Sequence, residues 1–447
     1  MERNYTVDKM QEECGVFGLF NNKDVDISNI SYIALSALQH RGQESCGIAI
    51  YEDSKLKCYK EMGLVSNFFI KEEVRKIKGK SFIGHVRYST SGESNLINAQ
   101  PILSNKMALA HNGNIVNGME LKEELMNKGV GFETSVDSEV ILKLIQKLDK
   151  DPIEQAISKS IEKINGGYSV LILTEEKLIG FRDPQGIRPL CIGKLKDSYI
   201  LCSESCAIDA LGGELIREVN PGEIVTIDFN GVSSSYIEGK NNSAICAFEY
   251  IYFARPNSII DNLSVYKSRI NMGKKLWEEA PISADIVIGV PESGNLAAIG
   301  FSNASGVPYD IGFVKNDYIG RTFIEPESKK REKNLDIKLR VIKDSIKGKR
   351  VVVVDDSIVR GTTSKKIVSL LRDAGAKEIH FRSASPVIKY PCFYGIDTAD
   401  CSNLLGSYMK VEEIRKAINA DSLKYISIEG LKDAIGQKCT CLKCFTQ

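Results

Sequence analysis

The stretch VVVVDDSIVRGTTS, residues 351–364, decides how the second half of the chain folds. Four consecutive valines leave no polar face, so the run suits a parallel strand covered on both sides. Two carboxylates follow at Asp355 and Asp356, then a short loop, then TSKKIVSLLRDAGA (363–376), an amphipathic helix pattern ended by Gly375. Backbone N–H groups of such a loop, with the helix N-terminus, make an anion site. Gly361 lets backbone approach a phosphate closely, Thr362 and Thr363 add hydroxyl donors, and the two aspartates are placed to accept from two sugar hydroxyls. One loop can thus hold both ends of a ribose 5-phosphate. An ordinary βα unit with helix-capping aspartates would explain a lone Asp-Asp pair; the ordered set favours the sugar-phosphate site. No GxxxxGK[ST] is present, so this is not a Walker loop.

Outward from that strand the rhythm is β-α-β. ADIVIGVP (284–291) reads as a strand, ESGNLAAIGFS (292–302) as a helix, PYDIGFV (308–314) as a strand and EIHFRSAS (378–385) as another. The alternation predicts a doubly wound parallel sheet. Residues 319–349 are dense in Lys, Arg and Glu and read as a mobile loop or exposed helix. The first half differs. CGVFGLF (14–20), GIAIY (47–51), SFIGHVRY (81–88), KMALAHNG (106–113), YSVLILT (168–174), YILCSE (199–204) and EIVTID (223–228) read as strands. Residues 29–38 and SVDSEVILKLIQKLD (135–149) read as helices, the second opened by Ser135 or Asp137 as a cap. Sheets with helices packed outside them are expected there, and the boundary falls between Asn230 and Asp261.

A chain of 447 residues suggests two or three domains. Hydrophobic residues make up 43% and charged residues 26%, as in ordinary globular proteins. Fifty-nine basic against 58 acidic side chains give a net charge of +1, which offers no reason to expect nucleic acid or a membrane surface. No apolar stretch approaches a membrane span and no apolar signal region opens the chain, so a cytoplasmic location is expected. The twelve cysteines are then expected as thiols, metal ligands or catalytic groups.

VVVVDDSIVRGTT resembles the phosphoribosylpyrophosphate (PRPP) motif of type I phosphoribosyltransferases. That resemblance implies PRPP contacts from Asp355, Asp356, Ser357, Val359, Arg360, Gly361, Thr362 and Thr363. In the first half, CGVFG (14–18), ALQHRGQES (37–45), GHVRYST (84–90), AHNGNIVN (110–117) and SVDSEV (135–140) are together similar to the class II glutamine amidotransferase domain, an N-terminal-nucleophile hydrolase with an αββα sandwich. The resemblance implies that residues 1–13 are a propeptide and that Cys14, once it is the first residue, is the catalytic nucleophile. Its own α-amine would be the base. Asn112 and the N–H of Gly113 would stabilise the oxyanion, and Arg87 and Asp137 would hold the glutamine α-carboxylate and α-ammonium. Arg41 and Gln43 are expected to hold the site together, and His85 and His111 to be structural.

Both halves together resemble the amidophosphoribosyltransferase family. The implied domains are 14–240 (amidotransferase), 260–430 (phosphoribosyltransferase) and a tail, 431–447. The implied reaction converts glutamine, PRPP and water to 5-phosphoribosylamine, glutamate and pyrophosphate, the first committed step of purine synthesis, with ammonia passed internally. VIGVPESG (287–294) resembles the pyrophosphate loop, although Glu292 stands where relatives often have Asp; Ser293, Asp355 and Asp356 are then expected at a Mg²⁺ site. Cys441 and Cys444 form a CxxC that alone fits iron–sulfur or zinc. The contexts of Cys246, Cys392, Cys441 and Cys444 resemble the branch of the family that carries a [4Fe–4S] cluster, with Cys439 a spare thiol nearby. The resemblance further implies a homotetramer inhibited by purine nucleotides. Two readings compete: a catalytically silent PRPP sensor, which has no need of Cys14, Arg87, Asn112 and Asp137, and a glutamine amidotransferase with another acceptor, such as a sugar phosphate or an aspartyl adenylate, which the DDSIVRGTT loop argues against.

Overall fold

A computed structural model describes residues 14–52, 55–88, 92–104, 106–237, 243–315, 339–396, 398, 401–436 and 440–446. The expected cleavage segment 1–13, Cys439 and much of the charged segment (316–338) lie outside the described residues.

The first half is two antiparallel sheets face to face. Its strands are β1 (Gly15–Asp26), β2 (Ser45–Glu52), β3 (Lys55–Met62), β4 (Lys78–Arg87), β5 (Ile102–Leu103), β6 (Ala108–Ile115), β7 (Gly166–Leu173), β8 (Leu178–Arg182), β9 (Cys191–Leu195), β10 (Ser198–Cys202), β11 (Glu214–Glu218), β12 (Glu223–Asp228) and β13 (Gly231–Tyr236). One sheet runs β11-β9-β10-β1-β4-β2-β3, the other β13-β12-β8-β7-β6-β5. Alternation along each strand gives each sheet two apolar faces. The inner faces meet through Val16, Phe20, Ala49, Ile83, Ala110 and Leu171. The outer face of the first sheet packs on helix Ile27–Ala37, and that of the second on helices Ser138–Gln146 and Ile153–Ile161. This is the expected αββα sandwich.

The second half contains β14 (Ile245–Cys246), β15 (Ile259–Ile260), β16 (Leu263–Ser264), β17 (Ile286–Gly289), β18 (Phe313–Lys315), β19 (Leu339–Val341), β20 (Arg350–Asp355), β21 (Glu378–Ser383), β22 (Ser422–Tyr425) and β23 (Thr440–Cys441). The sheet β17-β20-β21-β22 is parallel throughout. Val352 and Val354 face helices Val265–Glu279 and Gly294–Ser305, while Val351 and Val353 face helices Thr362–Asp373 and Val411–Ile418. Both faces are covered, which is why β20 needs no polar alternation.

Two expectations need correction. PYDIGFV is not one strand of this sheet: Tyr309 makes a single bridge to Val287, and Phe313–Lys315 pairs instead with β19 in a separate ribbon. Neither Ser135 nor Asp137 caps the helix after it by its side chain. The helix begins at Ser138; the Ser135 hydroxyl accepts from Asn98 Nδ2 and the Asp137 carboxylate from Ile115 N–H. Those polar groups serve the loops in front of the helix.

Candidate functional site

Cys14 lies at the head of β1, between β4 and β10. It is 7% exposed, and its Sγ donates to the Tyr88 carbonyl at 3.3 Å. Burial pushes the thiol up to about 11, against the pull of the nearby Arg87 charge. Asp137 and Glu44 also lie within its electrostatic reach, so two of the residues expected around the cysteine, Arg87 and Asp137, do converge there. Arg87, at the end of β4, is buried and donates to Glu44 Oε1 at 2.5 Å and to the Glu93 carbonyl at 3.3 Å. A cleft of about 690 Å³ opens alongside, lined by Glu93, Asn98, Lys122 and Ser135 among others.

Strand β6 supplies the other wall. His111 N–H is taken by Gln100 Oε1 at 2.7 Å and Ile115 N–H by Asp137 Oδ2 at 2.9 Å. Gly113 lies midway between them, and N–H directions repeat every second residue in an antiparallel strand. Its N–H is therefore turned to the same edge, away from β7. Gly113 has φ +134°, and a Cβ there would collide with the Gly167 carbonyl, so glycine is required. The side chain of Asn112 is wholly buried, and neither its Nδ2 nor its Oδ1 has a hydrogen-bond partner. Buried amides are normally satisfied; the orphaned amide of Asn112 is free to meet a ligand. His85 reaches the His111 carbonyl at 3.0 Å and His111 Nδ1 meets Ser138 Oγ at 3.0 Å. Burial lowers both imidazoles, His85 to about 3, so both are neutral ties, His85 between the two sheets and His111 from β6 to the helix at Ser138.

The second site lies where β17 and β20 end together, the usual ligand crevice of an open parallel sheet. Gly289 is in register with Val354, and Val290 N–H bonds to the Val354 carbonyl at 2.9 Å, which brings the PESG turn beside the aspartate pair. Asp355 and Asp356 are each 1% exposed. Asp356 accepts from the hydroxyls of Ser293 and Ser357, and Asp355 Oδ1 accepts from Asp356 N–H at 2.9 Å. Ser293, Asp355 and Asp356 thus form one oxygen-only cluster, a donor set suited to Mg²⁺. Gly361 takes φ +77°, with Leu405 where a Cβ would sit, and hands over to helix Thr362–Asp373. Val359 is buried and its carbonyl accepts from Leu405 N–H at 3.0 Å, so it shapes the loop through its main chain. Glu292 is exposed and pairs with Lys315 at 3.2 Å.

The four cysteines meet at the back of the second half. Parallel pairing of β14 with β23 sets Cys246 opposite Cys441. The Cys444 carbonyl accepts from the N–H groups of Lys389 and Tyr390, at the entry to the Cys392 loop. Cys392 and Cys441 raise the Cys444 thiol electrostatically, after burial has done most of that. Among the described residues no three of these sulfurs lie within 4.8 Å of one another. Tetrahedral zinc would draw four sulfurs to about 3.8 Å separation; a four-iron cube holds its thiolates further apart. His40, Glu204 and Cys206 do lie within that spacing. Glu204, however, already accepts from Arg41, His40, Ser258 and the Arg255 N–H, so this is an ion-pair network.

Sequence reasoning missed Glu44, which faces Arg87, and the Glu204 and Glu249 carboxylates that engage Arg41. Glu44 lay inside the quoted HRGQES run; nothing local marked Glu204 or Glu249.

Fold and sites together define a glutamine amidotransferase joined to a phosphoribosyltransferase. Known families agree: a glutamine amidotransferase domain matches residues 85–210 and a phosphoribosyl transferase domain residues 258–384. Amidophosphoribosyltransferase of Bacillus subtilis is 46% identical over 98% of this chain and 94% of its own length. That of Archaeoglobus fulgidus is 47% identical over 97% of each. A solved structure of the B. subtilis glutamine PRPP amidotransferase, complexed with ADP and GMP, is 46% identical, covers 97% of this chain and 96% of its own, and superposes with a TM-score of 0.91. The chain belongs to the amidophosphoribosyltransferase family. It is an enzyme that uses glutamine to aminate PRPP in purine biosynthesis.

Proposed function

We propose that Cys14 hydrolyses glutamine after removal of residues 1–13 and that the ammonia passes internally to PRPP held at Asp355–Thr363. The observation that carries the first half is the orphaned, wholly buried amide of Asn112. A thiol pushed up to about 11 cannot ionise unaided at neutral pH. In an uncut chain the Cys14 nitrogen is an amide and takes no proton; a free α-amine, with a reference pKa of about 7.7–8.0, does. The thiolate attacks the side-chain carbonyl of glutamine. Charge developing on that oxygen meets Asn112 Nδ2 and Gly113 N–H, donors already fixed in place. Arg87 grips the substrate α-carboxylate in exchange for part of its Glu44 contact, and Asp137 receives the α-ammonium. The amine-held proton leaves with ammonia, and water clears the thioester as glutamate.

At the second site the loop N–H groups and the Thr362 and Thr363 hydroxyls hold the 5-phosphate, while Asp355 and Asp356 accept from the ribose hydroxyls. Ser357 and Arg360 complete the loop, and the VPESG turn faces the pyrophosphate. Mg²⁺, when bound by Ser293, Asp355 and Asp356, neutralises the leaving pyrophosphate. Ammonia attacks C1 of the ribose only while unprotonated, so a dry path between the sites favours amination over hydrolysis.

Cys246, Cys392, Cys441 and Cys444 are the proposed ligands of a [4Fe–4S] cluster, supported by their convergence on one place in the second half. Its role is structural, since the reaction moves no electrons. Proposed too are a homotetramer, inhibition by purine nucleotides (the B. subtilis relative was solved with ADP and GMP) and a cytoplasmic location. Among the described residues no helix is long and apolar enough to cross a membrane.

Denatured intact mass tests the cleavage, and the variant Cys14→Ala tests the nucleophile. The variant is expected to lose glutamine-dependent turnover and keep amination with high external ammonia. Retained glutamine turnover overturns the assignment. Iron analysis and the absorption spectrum of anaerobically purified protein test the cluster; stoichiometric zinc without iron overturns it.

A further inference from the structure

Arg41, which the mechanism above does not use, lies at a junction. It is 1% exposed, and its Nε donates to the carbonyl of Cys14 at 3.4 Å. Nη1 donates to Glu204 at 2.6 Å, and Nη1 and Nη2 donate to the two oxygens of Glu249 at 3.0 and 2.6 Å. The Glu249 contact is the fork-on-fork pairing that fixes a guanidinium plane as well as neutralising it. Glu249 belongs to neither matched domain: it sits in the segment joining them, between residues 210 and 258. It is fully buried and opens the π-helical turn Glu249–Phe253. That turn is clamped from its other side by Arg269, whose Nε and Nη2 donate to the carbonyls of Tyr250 and Ala254, both at 2.8 Å. Arg269 itself lies within the field of Asp356.

We propose that Glu249 is a positioning residue for glutamine hydrolysis: through Arg41 it fixes the main chain of Cys14 from outside the amidotransferase half. The inference rests on Cys14 being the nucleophile. The direction of the Cys14 carbonyl sets its ψ, and with it where the α-amine and the Cβ–Sγ bond of Cys14 are carried relative to β1 and the rest of the site. Misplacement of reacting groups by about 1 Å costs roughly a hundredfold in rate. A buried staple without this role explains the ion pairs. It does not explain why the Nε–H of Arg41 is turned to the Cys14 carbonyl.

The test uses the processed full-length enzyme and compares Glu249→Gln, Arg41→Lys and the double variant. Glu249→Gln keeps the shape, removes the charge and sets an amide opposite the guanidinium. Glutamine hydrolysis is expected to lose about tenfold or more in kcat, with the glutamine KM within about twofold because Arg87 and Asp137 are untouched. Amination with external ammonia is expected to be unchanged. Arg41→Lys is expected to show the same split and the double variant no further loss, as for two members of one unit. Glu249→Asp, which keeps the charge and withdraws it by one methylene, covers the case in which the Gln variant does not fold; the same split is expected. Equal losses with both nitrogen sources, a change confined to KM, or additive losses overturn the proposal. Cys14→Ala, run in parallel, separates the readings. If it keeps glutamine turnover, the nucleophile assignment fails. If it is inactive while Glu249→Gln and Glu249→Asp keep full kcat, only the role of Glu249 fails.

Discussion

Replacing Asn112 by leucine separates a catalytic from a structural amide, because the two roles predict opposite signs of stability change. Asn112 is wholly buried and both polar atoms of its side chain are unpartnered. A buried unsatisfied polar group costs about 1–3 kcal/mol. Leucine keeps the branch at Cγ and brings no polar atom, but it is the larger side chain, so overpacking offsets part of the gain. Asn112→Leu is expected to raise stability, by less than the about 1–3 kcal/mol that an unsatisfied buried group costs, at roughly 2–4 °C per kcal/mol for a domain of 150–250 residues. Loss of one oxyanion donor is expected to lower kcat for glutamine hydrolysis by about 10²–10³, or roughly 2.7–4 kcal/mol of transition-state stabilisation. Thermal unfolding and steady-state kinetics with glutamine and with ammonia read both effects. Amination with ammonia is expected to be unchanged. A lower melting temperature, or glutamine turnover within a few-fold of the parent, would refute the argument that the amide is held empty for an oxyanion.

Asp356→Asn is expected to abolish pyrophosphate release with either nitrogen source while leaving glutamine binding at the first site intact; normal release would sink the PRPP-loop assignment. In the uncut chain, alkylation of Cys14 by iodoacetamide is expected to rise about tenfold per pH unit up to pH about 11. Processing should move that inflection down, and peptide mass mapping reads the rate. Glu218 is buried with Oε1 unpartnered, and burial, more than the field of Asp261, pushes its carboxyl up to about 8. A folded-state pKa above the unfolded one means that its contribution is fully present below about 4.5 and is lost as pH rises towards 8. Glu218→Gln is therefore expected to raise the melting temperature at pH 8 more than at pH 5; equal shifts at both would place the effect in packing.

The parts that chemistry concentrates in one short run were legible in the sequence. The apolar run of β20, the aspartate pair and the Gly361 turn are contiguous, so their order alone implied strand, loop and helix, and the structure adds only what lines the other side. Cys14, Arg87, Asn112 and Asp137 were legible as motifs, but their convergence was not, because it needs β1, β4 and β6 to come from two different sheets. PYDIGFV misled because its apolar residues suit any half-buried extended segment; which neighbour pairs with it is decided by the loop geometry around β17, not by its own pattern. Ser135 and Asp137 misled for a related reason. Short polar side chains before a helix cap it only if no nearer donor competes, and here Asn98 and the Ile115 N–H do.

The same contrast bears on how the two halves act together. Buried charge at their junction is expensive unless paired on all sides, yet the junction is lined with it: Arg41 with Glu204 and Glu249, Arg182 with Asp261, and Arg188 on the Tyr394 carbonyl. An apolar interface would hold two rigid domains together at lower desolvation cost. Directional pairs instead fix orientation, and they run close to the chemistry at both ends. The Cys392 loop shows this again. Asn114, two residues from Asn112, donates to the Phe393 carbonyl at 2.8 Å, and Gly395, with φ +114°, packs against Gly113. Loss of the proposed cluster would therefore loosen a loop that supports the oxyanion strand. The glutaminase half is thus tied, at Arg41, Asn114 and Arg188, to residues that lie beyond it.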